Sequence, residues 1–149
     1  MFRAVLWVAV VASIAYAASE GGFDSLENAV SLRLEPNRDT VQLAGKAPAV
    51  IEVKVTLKNN TSAPAALSAP SACKVFRWQV FSRAGEMMQS RVNDDKCPEM
   101  AVSSALQPGQ QIEEFYSIAL VPSRYTAGQD YQVHAWYWGY EATFQFKAE

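Results

Sequence analysis

The sequence predicts an all-β protein in which antiparallel sheets pack face to face as a β-sandwich of about seven to nine strands. Apolar and polar residues alternate with a period of two in several segments, which is the pattern of strands with one buried and one solvated face. Turn residues separate these segments about every ten positions. Past residue 17, no segment has the 3.6-residue period of an amphipathic helix.

The first part of the predicted domain contains two strands and a short third one. Val30–Leu34 alternates and is followed by Pro36, which predicts an edge strand because proline has no N–H for a sheet ladder. Ile51–Lys58 alternates most clearly and ends at the turn cluster Asn59-Asn60-Thr61-Ser62. A short strand is expected at Ala65–Leu67.

The middle of the chain predicts a hairpin. Phe76–Val80 alternates between large apolar and polar residues, and Ala84-Gly85 supplies a tight turn into Glu86–Arg91. A polar loop follows this hairpin, and Met100–Val102 is expected to be a short edge strand.

Three long strands are expected in the last part of the chain. Ile112–Leu120 follows the turn Pro108-Gly109, and its inward positions are apolar with the exception of Glu114. Tyr131–Gly139 alternates next, and a final strand from Tyr140 to Phe146 shows the cleanest alternation of all.

Residues 1–17 have the three parts of an export signal. Arg3 provides the positive charge, an apolar stretch runs from Ala4 to Ile14, and Ala15-Tyr16-Ala17 fits the small-x-small cleavage motif. The apolar stretch is too short for a membrane anchor, so cleavage is expected before Ala18. The sequence therefore predicts a periplasmic or secreted bacterial protein.

The exported part is expected to consist of a flexible N-terminal segment, residues 18–29, and a single domain, residues 30–149. Cleavage of residues 1–17 removes Arg3, which is one of the chain's 13 basic residues, and none of its 15 acidic residues. A mildly acidic chain without a cluster of lysines and arginines does not attract nucleic acid or anionic lipid. We therefore expect no nucleic acid partner and no membrane insertion after signal cleavage.

The chain has two cysteines, Cys73 and Cys97, and both lie in the exported part. An even number of cysteines in an oxidising compartment predicts a disulfide. This bond would close a loop of about 25 residues and contribute roughly 3.5 kcal/mol in the loop-entropy model. A metal or redox pair is the alternative, but such pairs usually have closely spaced cysteines or accompanying histidines.

The order and spacing of several motifs from about residue 51 to residue 147 resemble one known family. The motifs are Asn59-Asn60-Thr61, Phe76–Val80, Gly85, Leu106–Gln110, Ala127-Gly128 and Tyr131–Trp136. Together they resemble the BsuPI-type domain, a family of immunoglobulin-like sandwiches related to a bacterial intracellular proteinase inhibitor. The resemblance implies an immunoglobulin-like topology and a role in binding, and thereby inhibiting, a proteinase.

No residue pattern predicts a catalytic or metal site. His134 is the only histidine, it occupies an outward strand position, and no nucleophile motif accompanies it. Glu113 and Glu114 are adjacent on a strand and therefore face opposite sides. Copper binding by His134 with methionines, or calcium binding by Asp94, Asp95 and Glu99, is less favoured than a solvated histidine and a solvated acidic loop. We expect no enzyme activity, cofactor or metal.

Two tryptophans are candidate binding residues. If the alternation continues, Trp136 and Trp138 lie on the solvent side with Gln132 and His134, where large apolar rings are typical of a protein- or sugar-binding face. In the alternative, a neighbouring strand, the N-terminal segment or a bulge covers them.

Two loops are further candidates. Ala69–Lys74 contains Pro70, and Asp95–Met100 contains Pro98; the predicted disulfide would tie the two loops together. A proteinase inhibitor needs a rigid loop in an extended, substrate-like form, and such a tie lowers the cost of ordering it. Alternatively, the disulfide only holds the two loops together and has no role in binding.

These observations favour an exported, non-enzymatic module that binds a protein partner, such as a protease or an envelope protein. Proteinase inhibition is the function that the family resemblance implies. The alternative is a structural or assembly domain of the bacterial cell envelope, in which a sheet edge or the N-terminal segment pairs with a partner strand.

Overall fold

The structure is a computed structural model that describes residues 29–91 and 97–149. These residues form ten strands and two short 3₁₀ helices, at Ala72–Lys74 and Pro122–Arg124. The strands are β1 (Val30–Pro36), β2 (Thr40–Val41), β3 (Ala49–Asn59), β4 (Ala65–Ala69), β5 (Phe76–Ser82), β6 (Met87–Ser90), β7 (Val102–Leu106), β8 (Gln111–Leu120), β9 (Asp130–Tyr137) and β10 (Tyr140–Ala148). The predicted all-β class is confirmed. The predicted export signal and most of the N-terminal segment lie outside the described residues.

The strands form three sheets. One has three strands in the order β1-β3-β8, a second has five in the order β2-β10-β9-β5-β6, and β4 pairs with β7 in a two-stranded ribbon. Every pairing is antiparallel except that of the two-residue strand β2 with β10. The immunoglobulin-like topology that the family resemblance implies stays a prediction.

A single apolar core lies between the two larger sheets. Strand alternation places fully buried residues from both sheets against one another; they include Val53, Val55, Leu57, Val80, Ile118, Leu120 and Val133. Phe76 of β5 stacks on Tyr116 of β8 with ring centroids 4.1 Å apart, which joins the two layers directly. Full burial of each large side chain contributes about 1.5–3 kcal/mol, so these alternating positions account for much of the stability.

A buried asparagine joins two of the motifs that the sequence places far apart. Asn59 donates its amide protons to the carbonyls of Ala63, at 2.8 Å, and Leu106, at 2.9 Å. Its side-chain oxygen accepts from the N–H and the hydroxyl of Thr61, at 2.9 and 2.7 Å. The Gly109 N–H donates to the Asn59 carbonyl at 2.9 Å. This arrangement, the Asn59 clamp, holds the end of β3 against the turn before β8.

A glutamine connects the edges of the two larger sheets. The side chain of Gln89 on β6 donates to the Ala119 carbonyl at 2.9 Å and accepts from the Val121 N–H at 3.0 Å. Its oxygen also accepts from the Tyr125 hydroxyl at 2.9 Å. The Gln89 amide thus takes the place of backbone pairing between β6 and the end of β8.

Among the described residues, no helix has the length and apolar character needed to cross a membrane. The predicted disulfide is present: Cys73 and Cys97 are bonded, and their Cα atoms lie 6.1 Å apart.

Candidate functional site

The disulfide brings together two loops at one end of the sandwich. Cys73 lies in the 3₁₀ helix between β4 and β5, and Cys97 lies in the segment that leads to β7. The candidate residues Pro70 and Pro98 are both exposed, and Met100 is 70% exposed. We call the surface formed by Pro70, Ala72–Val75, Cys97–Met100 and the turn Trp138-Gly139 the disulfide end.

The loop Ala69–Lys74 does not have the extended form expected of an inhibitor loop. Ala69 belongs to β4, Ala72–Lys74 is helical, and Val75 follows with helical backbone angles of −62° and −45°. Residues 72–75 therefore lack the extended conformation that an inhibitor loop needs. In the second loop, Asp95 and Lys96 lie outside the described residues, and the Met100 N–H donates to the Pro98 carbonyl at 2.8 Å.

Trp138 does not share a sheet face with Trp136, and that part of the sequence prediction is wrong. Strand β9 ends at Tyr137, and Trp138-Gly139 forms the two-residue turn of a hairpin with Tyr140 opposite Tyr137. Both turn residues have positive φ, 50° and 85°, as in a type I′ turn. The turn is fixed because the Trp138 N–H donates to the Val75 carbonyl at 2.9 Å, and the half-buried ring packs against the core.

Trp136 lies on the solvent side of the five-stranded sheet, as predicted, and is half-buried. The register aligns three rows of side chains across β5, β9 and β10. We call this surface the outer face; its rows are Arg77–Trp136–Glu141, Gln79–His134–Thr143 and Phe81–Gln132–Gln145. The Arg77 guanidinium carbon is 5.7 Å from the centroid of the Trp136 ring, a cation–π contact that covers part of the ring.

His134 has a carboxylate partner that the sequence analysis missed. Its Nδ1 lies 2.8 Å from Oε1 of Glu141, and its ring packs edge-on against Phe81 with centroids 5.1 Å apart. The position of the hairpin turn is the signal that could have identified this pair. With a two-residue turn at positions 138 and 139, Glu141 lies opposite Trp136, next to His134.

A groove of about 660 Å³ occupies one part of the outer face. Its floor and walls include Gln79 and Phe81 of β5, Gln132, His134 and Trp136 of β9, and Gln145 of β10. Arg83 of the β5–β6 turn and Asp130 at the start of β9 also line it. Apart from Trp136, the sequence pattern predicts none of these residues as a binding residue.

Glu114, the polar exception on an inward face of β8, accepts hydrogen bonds from two tyrosines. The Tyr137 hydroxyl donates to it at 3.0 Å, and the Tyr116 hydroxyl donates to the same oxygen. Burial, reinforced by the bond to Glu114, raises the pKa of Tyr137 to about 12 and raises that of Tyr116 further. Both phenols are therefore neutral donors at physiological pH.

Within residues 29–91 and 97–149, no group of three or more histidine, cysteine, aspartate or glutamate side chains is placed to hold a metal ion. Asp94 and Asp95, two of the three possible calcium ligands in the sequence, lie outside the described residues.

Comparisons with known proteins place the chain in no family, because no family model and no curated protein matches it. Three of the solved structures it resembles are the alkylpurine DNA glycosylase AlkC of Pseudomonas fluorescens, a structural genomics target, and the sporulation control protein Spo0M of Bacillus subtilis. Identities are 15%, 12% and 11%, with TM-scores of 0.49, 0.48 and 0.47. The matches cover 81%, 82% and 81% of this chain and 30%, 89% and 49% of the others. The chain spans less than a third of AlkC.

Proposed function

We propose that the protein is an exported, non-enzymatic module that binds a protein partner at the disulfide end. The observation that carries the proposal is the disulfide itself, which joins two exposed proline-containing loops beside the Trp138-Gly139 turn. A covalent tie and two prolines restrict these loops before binding, so that less conformational entropy is lost when a partner docks.

The conformation of Trp138 supports this location. A bulky residue with φ of 50° is an outlier, and such backbone strain costs about 1–3 kcal/mol. Tryptophan is also among the residues that most often dominate binding energy. Met100, 70% exposed in the loop that the disulfide ties to Cys73, adds a flexible apolar side chain to the disulfide end.

Capture of proteins from envelope extract by the purified, oxidised protein tests the proposal. A specific partner should be retained by the wild-type protein and lost with Met100→Asp and Trp138→Asn. Asn-Gly is the pair that type I′ turns favour, so Trp138→Asn removes the ring but keeps the hairpin. Phe115→Ala is the matched control, because Phe115 is 71% exposed on the three-stranded sheet. A partner lost with Phe115→Ala but kept with the other two variants would contradict the proposal.

Proteinase inhibition is the more specific form of this proposal, and Cys97–Met100 is the segment that supports it. This segment is anchored at one end by the disulfide and contains Pro98, which restricts its backbone. We expect the oxidised protein to slow a subtilisin-like protease and to lose this effect with Met100→Asp. Digestion of the wild-type protein without inhibition would exclude this form and leave partner binding intact.

An assembly role in the envelope is the second candidate function. The observation in its favour is that β1 and β8 are the terminal strands of the three-stranded sheet, so each has one edge unpaired by any other described strand. A partner strand can add to such an edge through backbone hydrogen bonds. Cross-linking from the β1 edge, compared with cross-linking from the disulfide end, distinguishes this role from the first.

A further inference from the structure

The groove on the outer face contains three glutamine side chains without internal partners. The amides of Gln79, Gln132 and Gln145 make no hydrogen bond to any residue in the described part of the chain, although Gln79 and Gln132 are half-buried. Their amide atoms remain accessible to solvent, so their donors and acceptors are open to a ligand that enters the groove. All three glutamines line one concave surface, two of them half-buried and Gln145 exposed.

The chemistry of these amides selects one kind of ligand group. Each amide offers two N–H donors and one oxygen acceptor, and a hydroxyl group also both donates and accepts. A ligand with several hydroxyls can therefore satisfy all three side chains at once. Phe81 and Trp136 supply apolar surface beside them, against which the C–H face of a sugar ring can pack.

The charges around the groove are balanced. Arg83 and Asp130 line it, and Arg77 and Glu141 lie together in the row that contains Trp136. His134 is paired with Glu141 at 2.8 Å, which orients its ring. Neither charge sign dominates, so the site favours an uncharged ligand over a phosphate or an acidic polymer.

The position of the groove argues against an extended peptide. Peptides that bind to sheets commonly add a strand to an open edge, where backbone groups are available. The groove lies over β9, which is paired on one side with β5 and on the other with β10. A ligand here can reach only side chains. The volume of about 660 Å³ is within the range of sites that take small molecules.

From these observations we propose that the groove is a binding site for a neutral saccharide. Gln79, Gln132 and Gln145 bond its hydroxyls, and Phe81 and Trp136 pack against its ring. This site is distinct from the disulfide end, and its ligand is separate from the protein partner proposed there.

Nuclear magnetic resonance titration of the purified protein tests this site. The probes are neutral malto-, cello- and chito-oligosaccharides, with short uncharged peptides as the comparison. We expect a saturable shift of the Trp136 indole resonance with at least one oligosaccharide. Gln132→Ala and Gln145→Ala should each weaken the binding about fivefold, the effect of losing a neutral hydrogen bond. Gln111→Ala, an exposed glutamine on the other sheet, should leave the affinity unchanged.

Three results would overturn the proposal. The first is that no oligosaccharide of the panel shifts the Trp136 resonance. The second is that binding is the same in the wild-type protein and in both groove variants while their thermal unfolding is unchanged. The third is that the peptides displace the saccharide from the groove or bind there more tightly.

Discussion

The side-chain amides of the Asn59 clamp and of the groove behave in opposite ways. Asn59 is completely buried and uses its amide protons and its oxygen in four hydrogen bonds within the chain. Gln79, Gln132 and Gln145 lie in an open groove and make none with the residues that the structure describes. The difference separates amides that hold the fold together from amides that are available to a ligand.

The largest effect is expected at the clamp. Asn59→Ala removes four hydrogen bonds, two donated to the Ala63 and Leu106 carbonyls and two accepted from Thr61, and each contributes about 1 kcal/mol. We expect the free energy of unfolding to fall by about 4 kcal/mol, measured by urea denaturation. Gln111→Ala serves as a surface amide control. A loss at Asn59 no larger than that of the control would remove the contrast between the two regions.

A slightly smaller effect is expected from the disulfide. Replacing both Cys73 and Cys97 by serine frees a loop with a sequence separation of 24 and should lower the free energy of unfolding by roughly 3.5 kcal/mol. Denaturation of the wild-type protein with and without reductant gives an independent measure. If the double variant is fully folded but no longer captures the partner, the disulfide end rather than general stability carries the binding.

Gln89 is the intermediate case, because it bridges two sheets from a partly exposed position. Gln89→Met keeps the length of the side chain and removes the bonds to Ala119, Val121 and Tyr125. The free energy of unfolding should fall by about 2 kcal/mol, since two of the lost bonds involve backbone groups. Hydrogen exchange should show faster opening at the end of β8 than at its start. Uniform protection along β8 would contradict this bridging role.

The strands could be predicted from the sequence because their alternation reports directly which face is buried. Ile51, Val53, Val55 and Leu57 are all fully buried, and the residues between them are not. The boundary after β9 could not be predicted, because tryptophan rarely occupies a turn position with positive φ. Alternation continued through Trp138 to Gly139 therefore predicts the wrong surface for the Trp138 ring.

The candidate site depended on contacts that are distant in sequence. The disulfide could be predicted because cysteines are few and chemically specific. The groove could not, since it needs the register of three strands, which brings Phe81 beside Gln132 and Gln132 beside Gln145. Strand patterns fix which face a residue occupies but not its neighbour across the sheet. The role of Asn59 was hidden for the same reason, because Leu106 lies 47 positions away.

The smallest effect on stability is expected at the groove amides, although their loss should weaken binding of the proposed saccharide. Gln132→Ala and Gln145→Ala break no internal hydrogen bond within the described residues, so the free energy of unfolding should stay within about 0.5 kcal/mol of the wild-type value. Urea denaturation of both variants and of Asn59→Ala compares their free energies of unfolding under the same conditions. A loss above about 1 kcal/mol would show that the groove amides stabilise the fold. Unchanged stability together with weakened saccharide binding would mean that these amides contribute to ligand binding and not to folding. Their replacement would then lower the affinity without lowering the free energy of unfolding.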